Sequence, residues 1–347
     1  MSYFRENIES AAGYTPGFQP KDDNIVKLNT NENPYPPCPG VLEAISQINT
    51  EQLRRYPDPL GDKFRKAAAK LNGVTMDSIM CCNGGDDLLN ITIRAFCDEV
   101  HALAYPVPTY SLYPVLARIQ NCPIIEIPFN QDFQLPKMLC NTGANLTIVC
   151  NPNAPSASII TPEILGDLAG KLNGILLIDE AYTDFAQYNC VKLIKTFDNI
   201  IILRSMSKGY SLAGIRFGYA IAHPDLIAGL MKIKDSYNVD VLAIEAACAA
   251  IKDQEYFLKN INKIKENRSD LTRDLQNLGF NVSKSHSNFV LAQTNDKPAL
   301  MIYNALKERN IFVRYFQVPG LDDKLRISIG TKEQNSKLIS ALKEILI

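Results

Sequence analysis

Short apolar runs alternate with amphipathic stretches between about residue 60 and residue 225 of this chain. Short runs rich in Ile, Val and Leu are typical of buried strands. The predicted strands are Ile79–Cys82, Ala102–Ala104, Ile124–Ile127, Leu146–Cys150, Ile175–Ile178, Ile200–Leu203 and Phe217–Ala222. Apolar residues at helical spacing predict helices between them, at Asp86–Phe96, Leu112–Ile119 and Pro162–Lys171. This alternation predicts an α/β fold with a mostly parallel, seven-stranded sheet and helices on both faces.

The two ends of the chain have different patterns. Residues 29–40, NTNENPYPPCPG, contain too many prolines for a regular element and predict an ordered arm rich in turns. Residues 280–347 contain alternating apolar runs and a closing helical stretch, which predict a small α+β unit. We therefore expect an N-terminal arm (1–45) that joins the small domain, a large domain (46–250) and a small C-terminal domain (251–347).

Composition narrows the classes of function. The formal net charge of -1 gives no indication of a nucleic-acid partner. The sequence contains neither a signal peptide nor the roughly 18 consecutive apolar residues of a membrane helix, so we expect a cytoplasmic protein with no membrane contact. Nine scattered cysteines and three distant histidines favour neither a disulfide framework nor a metal site.

An acidic residue ends one of the predicted buried strands. In the run ILLIDEAY, Asp179 follows the strand and Tyr182 comes three residues later. Ligands of open α/β sheets bind beyond the carboxyl ends of the strands, where Asp179 could meet a ligand cation. The alternative is that Asp179 only caps the following turn.

A lysine lies in a Ser- and Gly-rich turn between two other predicted strands. In LRSMSKGYSLAGIRFGY, Lys208 could be desolvated at the sheet edge, lose its proton and act as a nucleophile towards a carbonyl group. Arg216, eight residues later, offers a planar fork for a phosphate. The alternative is an ordinary surface lysine.

Two further motifs could contact a ligand. In NGGDDLL, the backbone amides of Gly85 and Asp86 open a predicted helix and could bind an anion, although a plain turn is an equal alternative. In PTYSLY, the ring of Tyr110 could stack on a flat ligand or pack in the core.

The order of these motifs carries a resemblance. KLNTNENPYPP, RRYPDP, NGGDDLL, PTYSLY, NPNAP, IDEAY, SMSKGYSLAGIRFGY, SNFVL and LRISIG follow one another along nearly the whole chain. Together they resemble the fold-type-I, class-II pyridoxal-phosphate-dependent aminotransferases, and among these the histidinol-phosphate aminotransferase family most.

The resemblance implies roles for the matching residues. Lys208 would carry pyridoxal 5'-phosphate, Asp179 would keep the pyridinium nitrogen protonated, and Tyr182 would hydrogen-bond the ring oxygen. Tyr110 would stack on the ring. The residues implied to hold the cofactor phosphate are Gly85, Asp86, Ser205, Ser207 and Arg216, with Tyr56 of a second subunit. A site shared in this way implies an obligate homodimer.

The resemblance also implies the reaction, a transfer of the amino group between L-histidinol phosphate and 2-oxoglutarate in histidine biosynthesis. Arg314 and Arg326 would bind the substrate phosphate together with Tyr14, unless Arg314 pairs with a surface acid instead. Asn29, Asn31 and Asn33 would line the entrance and Glu32 would meet the imidazole, all by position only.

One position departs from the family pattern. The family usually has Asn before the second proline of NPNAP, where this chain has Ala154. That asparagine normally helps to bind the cofactor's ring oxygen. Asn151 or Asn153 could substitute for it, or Tyr182 could act alone.

Three other functions are weighed against transamination of histidinol phosphate. A threonine-phosphate decarboxylase also needs phosphate-binding arginines. An aromatic or broad-specificity aminotransferase would use Arg326 for a carboxylate. A regulator with this fold would need a DNA-binding segment before the arm, and the sequence before residue 10 is expected to leave no room for one.

Overall fold

The computed structural model describes residues 2–14, 17–20 and 25–347. Its strands are β1 (Val26–Lys27), β2 (Ile79–Cys82), β3 (Leu103–Val107), β4 (Ile124–Pro128), β5 (Leu146–Cys150), β6 (Ile175–Asp179), β7 (Ile200–Ser205), β8 (Gly218–Ala222), β9 (Asn281–Val282), β10 (Phe289–Gln293), β11 (Ile311–Phe312), β12 (Arg314–Tyr315) and β13 (Lys324–Ser328). Its helices are α1 (Glu6–Glu9), α2 (Pro39–Ser46), α3 (Thr50–Leu53), α4 (Asp62–Asn72), α5 (Gly85–Phe96), α6 (Leu112–Gln120), α7 (Pro162–Lys171), α8 (Pro224–Leu230), α9 (Val241–Lys252), α10 (Gln254–Asn277), α11 (Ala299–Glu308) and α12 (Lys332–Leu346).

The largest sheet has seven strands in the order β2-β8-β7-β6-β5-β3-β4. Neighbouring strands of this sheet pair in parallel, except that β8 runs antiparallel to both β2 and β7. This sheet confirms the predicted fold class. The strand predicted at Ala102–Ala104 is displaced, because β3 continues through Pro106 to Val107 beside β4.

Each central strand of this sheet is apolar on both faces. Leu176 and Ile178 of β6 belong to the core on one face, whereas Leu177 between them belongs to the core on the other. Successive side chains of a strand point to opposite faces, so a strand covered by helices on both sides must be apolar throughout. This is why the sequence contains uninterrupted apolar runs here.

A second, antiparallel sheet has four strands in the order β12-β13-β10-β9. Its core includes residues of α10, α11 and α12. The N-terminal arm joins it through β1, which pairs in parallel with β11. The predicted domain limits stay predictions, although α9 continues to Lys252, two residues past the limit placed at 250.

Within the described residues, no helix has both the length and the apolar character needed to cross a membrane. All nine cysteines are free thiols.

Gly218, the first residue of β8, lies against two backbone segments. A Cβ atom at this position would lie 2.9 Å from the carbonyl oxygen of Arg204, 2.9 Å from the carbonyl carbon of Gly84 and 3.1 Å from the amide nitrogen of Gly85. None of these atoms can move like the end of a side chain. The missing side chain therefore lets the turn before α5 lie close to β8.

We expect Gly218→Ala to destabilise the protein by about 1–3 kcal/mol, because the added methyl group would overpack two backbone segments. Gly214→Ala is the matched control, since a Cβ atom there would meet nothing within 4 Å. Urea unfolding followed by circular dichroism measures both variants. Equal unfolding midpoints in the two variants would contradict the packing argument.

Candidate active site

A cavity of about 840 Å³ lies at the carboxyl ends of the central parallel strands. The N-terminal arm, β12 and β13 contribute to its other walls. The predicted site residues that line it are Tyr14, Gly85, Asp86, Tyr110, Asp179, Tyr182, Ser205, Ser207, Lys208, Arg216, Arg314 and Arg326. Asn33 and Tyr56 do not line it. The topology thus brings together residues that are up to about 300 positions apart, as expected at the strand ends of an α/β sheet.

Lys208 extends from the turn after β7 into this cavity. Its Nζ donates a hydrogen bond to the carbonyl oxygen of Thr30 at 3.1 Å. The side-chain amide of Asn33 donates to the carbonyl oxygens of Lys208 and Gly209, each at 3.1 Å, and so fixes the backbone of the turn. Burial, and then the positive charge of Arg326, lower the pKa of Lys208 to about 8. More of this amine is therefore unprotonated near neutral pH than in an ordinary lysine.

Asp179 is the last residue of β6, and only 4% of its surface is exposed. Burial raises its pKa to about 6, against hydrogen bonds from the Tyr113 hydroxyl at 2.7 Å and the Ala181 amide at 3.1 Å. Glu180 faces away from the cavity, where its Oε1 accepts from the amide of Cys190. Because successive side chains of extended backbone point to opposite sides, Asp179 faces the cavity and Glu180 does not.

Tyr182 contacts the N-terminal arm. Its hydroxyl accepts a hydrogen bond of 3.0 Å from the side-chain amide of Asn31, a buried residue. Burial raises the pKa of Tyr182 to about 12, although the charge of Arg326 and the bond from Asn31 act in the opposite direction. The phenol is therefore a neutral donor at physiological pH.

The turn before α5 and the turn after β7 form a corner of the cavity that offers several hydrogen-bond donors. Helix α5 begins at Gly85, so its first amides have no partner within the helix. The guanidinium of Arg216 lies 3.4 Å from the Ser207 hydroxyl and 3.4 Å from a carboxylate oxygen of Asp86. Arg216 itself has a left-handed backbone, with φ at 57°. Backbone amides, a hydroxyl and an arginine converge on one anion in this way at phosphate sites.

Two arginines form the opposite side of the predicted site. Arg314 of β12 and Arg326 of β13 are cross-strand partners. Both guanidinium groups lie over the ring of Phe316, at 5.4 and 5.5 Å from its centroid. Among the described residues, Arg314 forms no ion pair and the buried Nε of Arg326 has no hydrogen-bond partner. The alternative that Arg314 pairs with a surface acid thus has no support.

The aromatic residues predicted to contact the ligand lie side by side. The rings of Tyr14 and Tyr110 meet edge to face, with centroids 6.0 Å apart. The Tyr110 hydroxyl donates to Asp86 at 3.3 Å. The arm therefore reaches the same part of the cavity as the start of α6.

Neither Asn151 nor Asn153 takes the position left open by Ala154. The amide of Asn151 exchanges two hydrogen bonds with the backbone of Ile160, at 2.9 and 2.7 Å. The amide of Asn153 is bound to Pro108, Ser156 and Thr109. The structure gives no support to the suggestion that one of them substitutes, because both amides are bound within their own loop and neither residue lines the cavity.

Two residues of the arm have other partners than expected. Glu32 pairs with Lys27 and accepts from Thr30. Burial would raise the pKa of Glu32, but hydrogen bonds from Lys27 and Thr30 hold it below its usual value. The amide of Asn33 is used by the backbone of the lysine turn. Asn33 does not line the cavity, so the structure gives no support to its contact with substrate. Glu32 lines the cavity, as Asn29 and Asn31 do, and its role towards the imidazole stays a prediction.

Tyr56 lies outside the cavity of its own chain. Its side chain is 79% exposed and stacks on Tyr237 with ring centroids 4.3 Å apart. Tyr56 is the residue of this pair for which the resemblance implies contact with a second subunit.

Sequence reasoning missed two residues that contact the predicted ones, Tyr113 and Phe316, and it missed the contact of Asn31 with Tyr182. Tyr113 had a usable signal, since it lies one helical turn after Tyr110 in PTYSLY. Phe316 follows Arg314 by two residues on an extended segment and so shares its face. Nothing in the sequence around Asn31 indicates its contact with Tyr182.

The cavity fits pyridoxal phosphate by the chemistry of its walls. A buried carboxylate suits a protonated ring nitrogen, a lysine of lowered pKa suits an aldehyde, and the amides of α5 with Arg216 suit a phosphate. Among the described residues, no group of three or more side chains could hold a metal ion.

Comparison with known proteins agrees with this arrangement. The model of the family "Aminotransferase class I and II" matches residues 23–342. Histidinol-phosphate aminotransferase 1 of Trichormus variabilis is 47% identical over 99% of both chains. The crystal structure of histidinol-phosphate aminotransferase from Sinorhizobium meliloti, in complex with pyridoxal-5'-phosphate, is 26% identical, with a TM-score of 0.91 over 100% of this chain and 98% of that one.

A decarboxylase has a similar structure. L-threonine-O-3-phosphate decarboxylase from Porphyromonas gingivalis is 25% identical, with a TM-score of 0.82 over 93% of this chain and 99% of that one. Its likeness is lower than that of the aminotransferase both in sequence and in structure. The chain therefore belongs to the class I and II aminotransferases, and among them to the histidinol-phosphate aminotransferase family.

Proposed function

We propose that this chain uses pyridoxal phosphate to transfer the amino group between L-histidinol phosphate and 2-oxoglutarate, a step of histidine biosynthesis. The observation that carries the proposal is the arginine pair Arg314 and Arg326 in the cavity that also contains Lys208. Two guanidinium groups without a carboxylate partner among the described residues suit a phosphate dianion. The names of the relatives support the same substrate.

Pyridoxal phosphate, when bound, supplies an electron sink for the negative charge that develops at the substrate's α-carbon. Lys208 would provide the nitrogen that holds the cofactor, and its Nζ would be the base that takes the α-proton. A pKa of about 8 suits both roles, because the Nζ can lose and regain a proton near neutral pH.

Asp179 holds the proton of the ring nitrogen. In a buried site a carboxylate attracts a cation strongly, and the hydroxyl of Tyr113 keeps Asp179 in place and ionised. A cationic ring nitrogen would lower the pKa of Asp179 from the value of about 6 that burial produces. Tyr182 would donate to the ring oxygen, and Tyr110 would stack on the ring.

The phosphate of the cofactor is held by one corner of the cavity. The amides of Gly85 and Asp86 with Ser205, Ser207 and Arg216 supply this corner. Tyr56 of a second subunit adds a hydroxyl, so we infer a homodimer whose sites are each completed by the other chain. The exposed stack of Tyr56 on Tyr237 supports this assignment.

Arg314 and Arg326, with Tyr14, bind the phosphate of histidinol phosphate. Arg326 lies deeper in the cavity wall, where its Nη2 donates to the carbonyl oxygen of Asn29 at 3.0 Å. The same guanidinium binds the α-carboxylate of 2-oxoglutarate in the second half of the reaction. One arginine thus serves both substrates, and the second arginine adds affinity for the phosphate.

The division into an arm (1–45), a large domain (46–250) and a small domain (251–347), and a cytoplasmic location, remain part of this proposal. The pairing of β1 with β11 supports placing the arm with the small domain.

The purified protein is expected to form glutamate from 2-oxoglutarate when L-histidinol phosphate is the amino donor. An enzyme-coupled glutamate assay measures this. Parallel samples receive L-threonine phosphate, with carbon dioxide assayed, and L-phenylalanine. Carbon dioxide from threonine phosphate without glutamate would move the chain to the decarboxylases, and turnover of phenylalanine alone would move it to the aromatic aminotransferases.

Attachment of the cofactor to cofactor-free protein is expected to speed up with rising pH and to level off above about 8, because only the unprotonated Nζ of Lys208 reacts. Arg326→Gln should move this profile to higher pH, since the charge of Arg326 lowers the pKa of Lys208. Timed borohydride reduction followed by mass spectrometry measures the attached fraction. Lys208→Ala is the control and should show no attachment at any pH. An unmoved profile in Arg326→Gln would contradict the electrostatic argument.

Arg314→Gln and Arg326→Gln are each expected to raise the KM for histidinol phosphate by about 10- to 100-fold, because a hydrogen bond to a charged group contributes ~1.5–3 kcal/mol. Only Arg326→Gln should also raise the KM for 2-oxoglutarate. Arg309→Gln is the matched control, since Arg309 lies on the surface, 3.6 Å from Glu344. Steady-state kinetics measure all three, and an unchanged KM in both site variants would exclude the arginine pair as the phosphate site.

A further inference from the structure

Asn31 has an unusual set of contacts for a residue of a Pro-rich arm. It is 1% exposed and has a left-handed backbone, with φ at 57°. Its carbonyl oxygen accepts from the amide of Asn288 at 2.9 Å, and its own amide donates to the Tyr182 hydroxyl at 3.0 Å. Its backbone N–H and its Oδ1 are bound as well, both to Ser328, so every polar group of Asn31 is bound inside the protein.

Ser328 determines which way the amide of Asn31 faces. The Ser328 hydroxyl accepts from the backbone N–H of Asn31 at 2.9 Å and donates to Oδ1 of the same residue at 2.9 Å. If the amide were turned over, the hydroxyl proton of this buried serine would lose its acceptor. Leaving a buried donor without a partner is unfavourable, so Nδ2 faces Tyr182.

The direction of this hydrogen bond decides what Tyr182 can do. Because Asn31 donates, the Tyr182 oxygen acts as acceptor and its own proton remains available to a group in the cavity. A tyrosine that receives a hydrogen bond is also a stronger donor, since bonds in a chain polarise one another.

We propose that Asn31 is a positioning residue that keeps the Tyr182 hydroxyl pointing as a donor to the ring oxygen of the cofactor. It would offset the amide that Ala154 cannot provide at that oxygen. The inference rests on the role proposed for Tyr182, but not on the identity of the amine substrate.

The pH dependence of the bound cofactor's visible absorption tests this without turnover. A donor to the ring oxygen stabilises negative charge there. This lowers the pH at which the Lys208 nitrogen, joined to the cofactor, loses its proton. Tyr182→Phe should therefore raise the midpoint of the titration. Asn31→Asp should raise it by roughly half to one pH unit, because a carboxylate of the same shape accepts from Tyr182, turns its proton away from the cavity and adds a negative charge near the nitrogen. Asn31→Ala should shift it in the same direction.

Two controls distinguish an effect of Asn31 on the Tyr182 hydroxyl from a general loss of stability. In the Tyr182→Phe background, the uncharged variant Asn31→Ala should cause no further shift. Asn288→Ala removes a bond to the backbone of Asn31 but leaves its amide on Tyr182. It should lower the melting temperature without moving the midpoint.

The outcomes distinguish this inference from the function proposed above. A shifted midpoint in Tyr182→Phe with an unshifted one in Asn31→Asp would overturn the role of Asn31 alone. A shift from Asn31→Ala that persists in full in the Tyr182→Phe background would also overturn it. An unshifted midpoint in Tyr182→Phe would overturn the assignment of Tyr182 together with this inference.

Discussion

The hydrogen bonds made by residues 29–33 hold the site together. Thr30 accepts from the amine of Lys208, Asn33 fixes the backbone of the lysine turn, and Asn31 connects Tyr182 with Ser328 of the antiparallel sheet. The arm has the composition of a loop, yet Asn29 and Asn31 are almost fully buried. A buried backbone without sheet partners requires such side-chain bonds, and here the same bonds orient the groups to which we assign the chemistry.

Asparagine serves both the backbone conformation and the hydrogen bonding of the arm, which explains why the arm is rich in this residue. Asparagine tolerates a left-handed backbone and both donates and accepts, so it can close a turn while binding a distant group. Asn31 does both, whereas Asn33 accepts from the backbone of Tyr35 and donates to the carbonyl oxygens of the lysine turn. A serine or an aspartate could not supply the same set of donors and acceptors.

Much of the fold could be predicted from the sequence because its signals are local. The apolar strands of the large sheet are continuous runs, and Asp179, Lys208 and Arg216 stand at the ends of such runs in recognisable motifs. The contacts of the arm could not be predicted, because Asn31 and Tyr182 are 151 residues apart and meet only through the packing of two sheets. The same holds for Asn151 and Asn153, whose amides are used by loop contacts that no spacing reveals.

The charged groups of the cavity couple the binding of an anion to the pKa of Lys208. Arg326 lowers the pKa of Lys208, whereas Glu32 and Asp86 act in the opposite direction. An anionic substrate group bound at Arg326 offsets the charge of that guanidinium. The field at Lys208 then becomes less positive and the proton affinity of its Nζ rises. If the substrate phosphate binds at Arg326 as proposed, it would thus raise the proton affinity of Lys208 before the α-proton is removed. The low dielectric of the buried cavity makes this coupling larger than the same charges would produce in water.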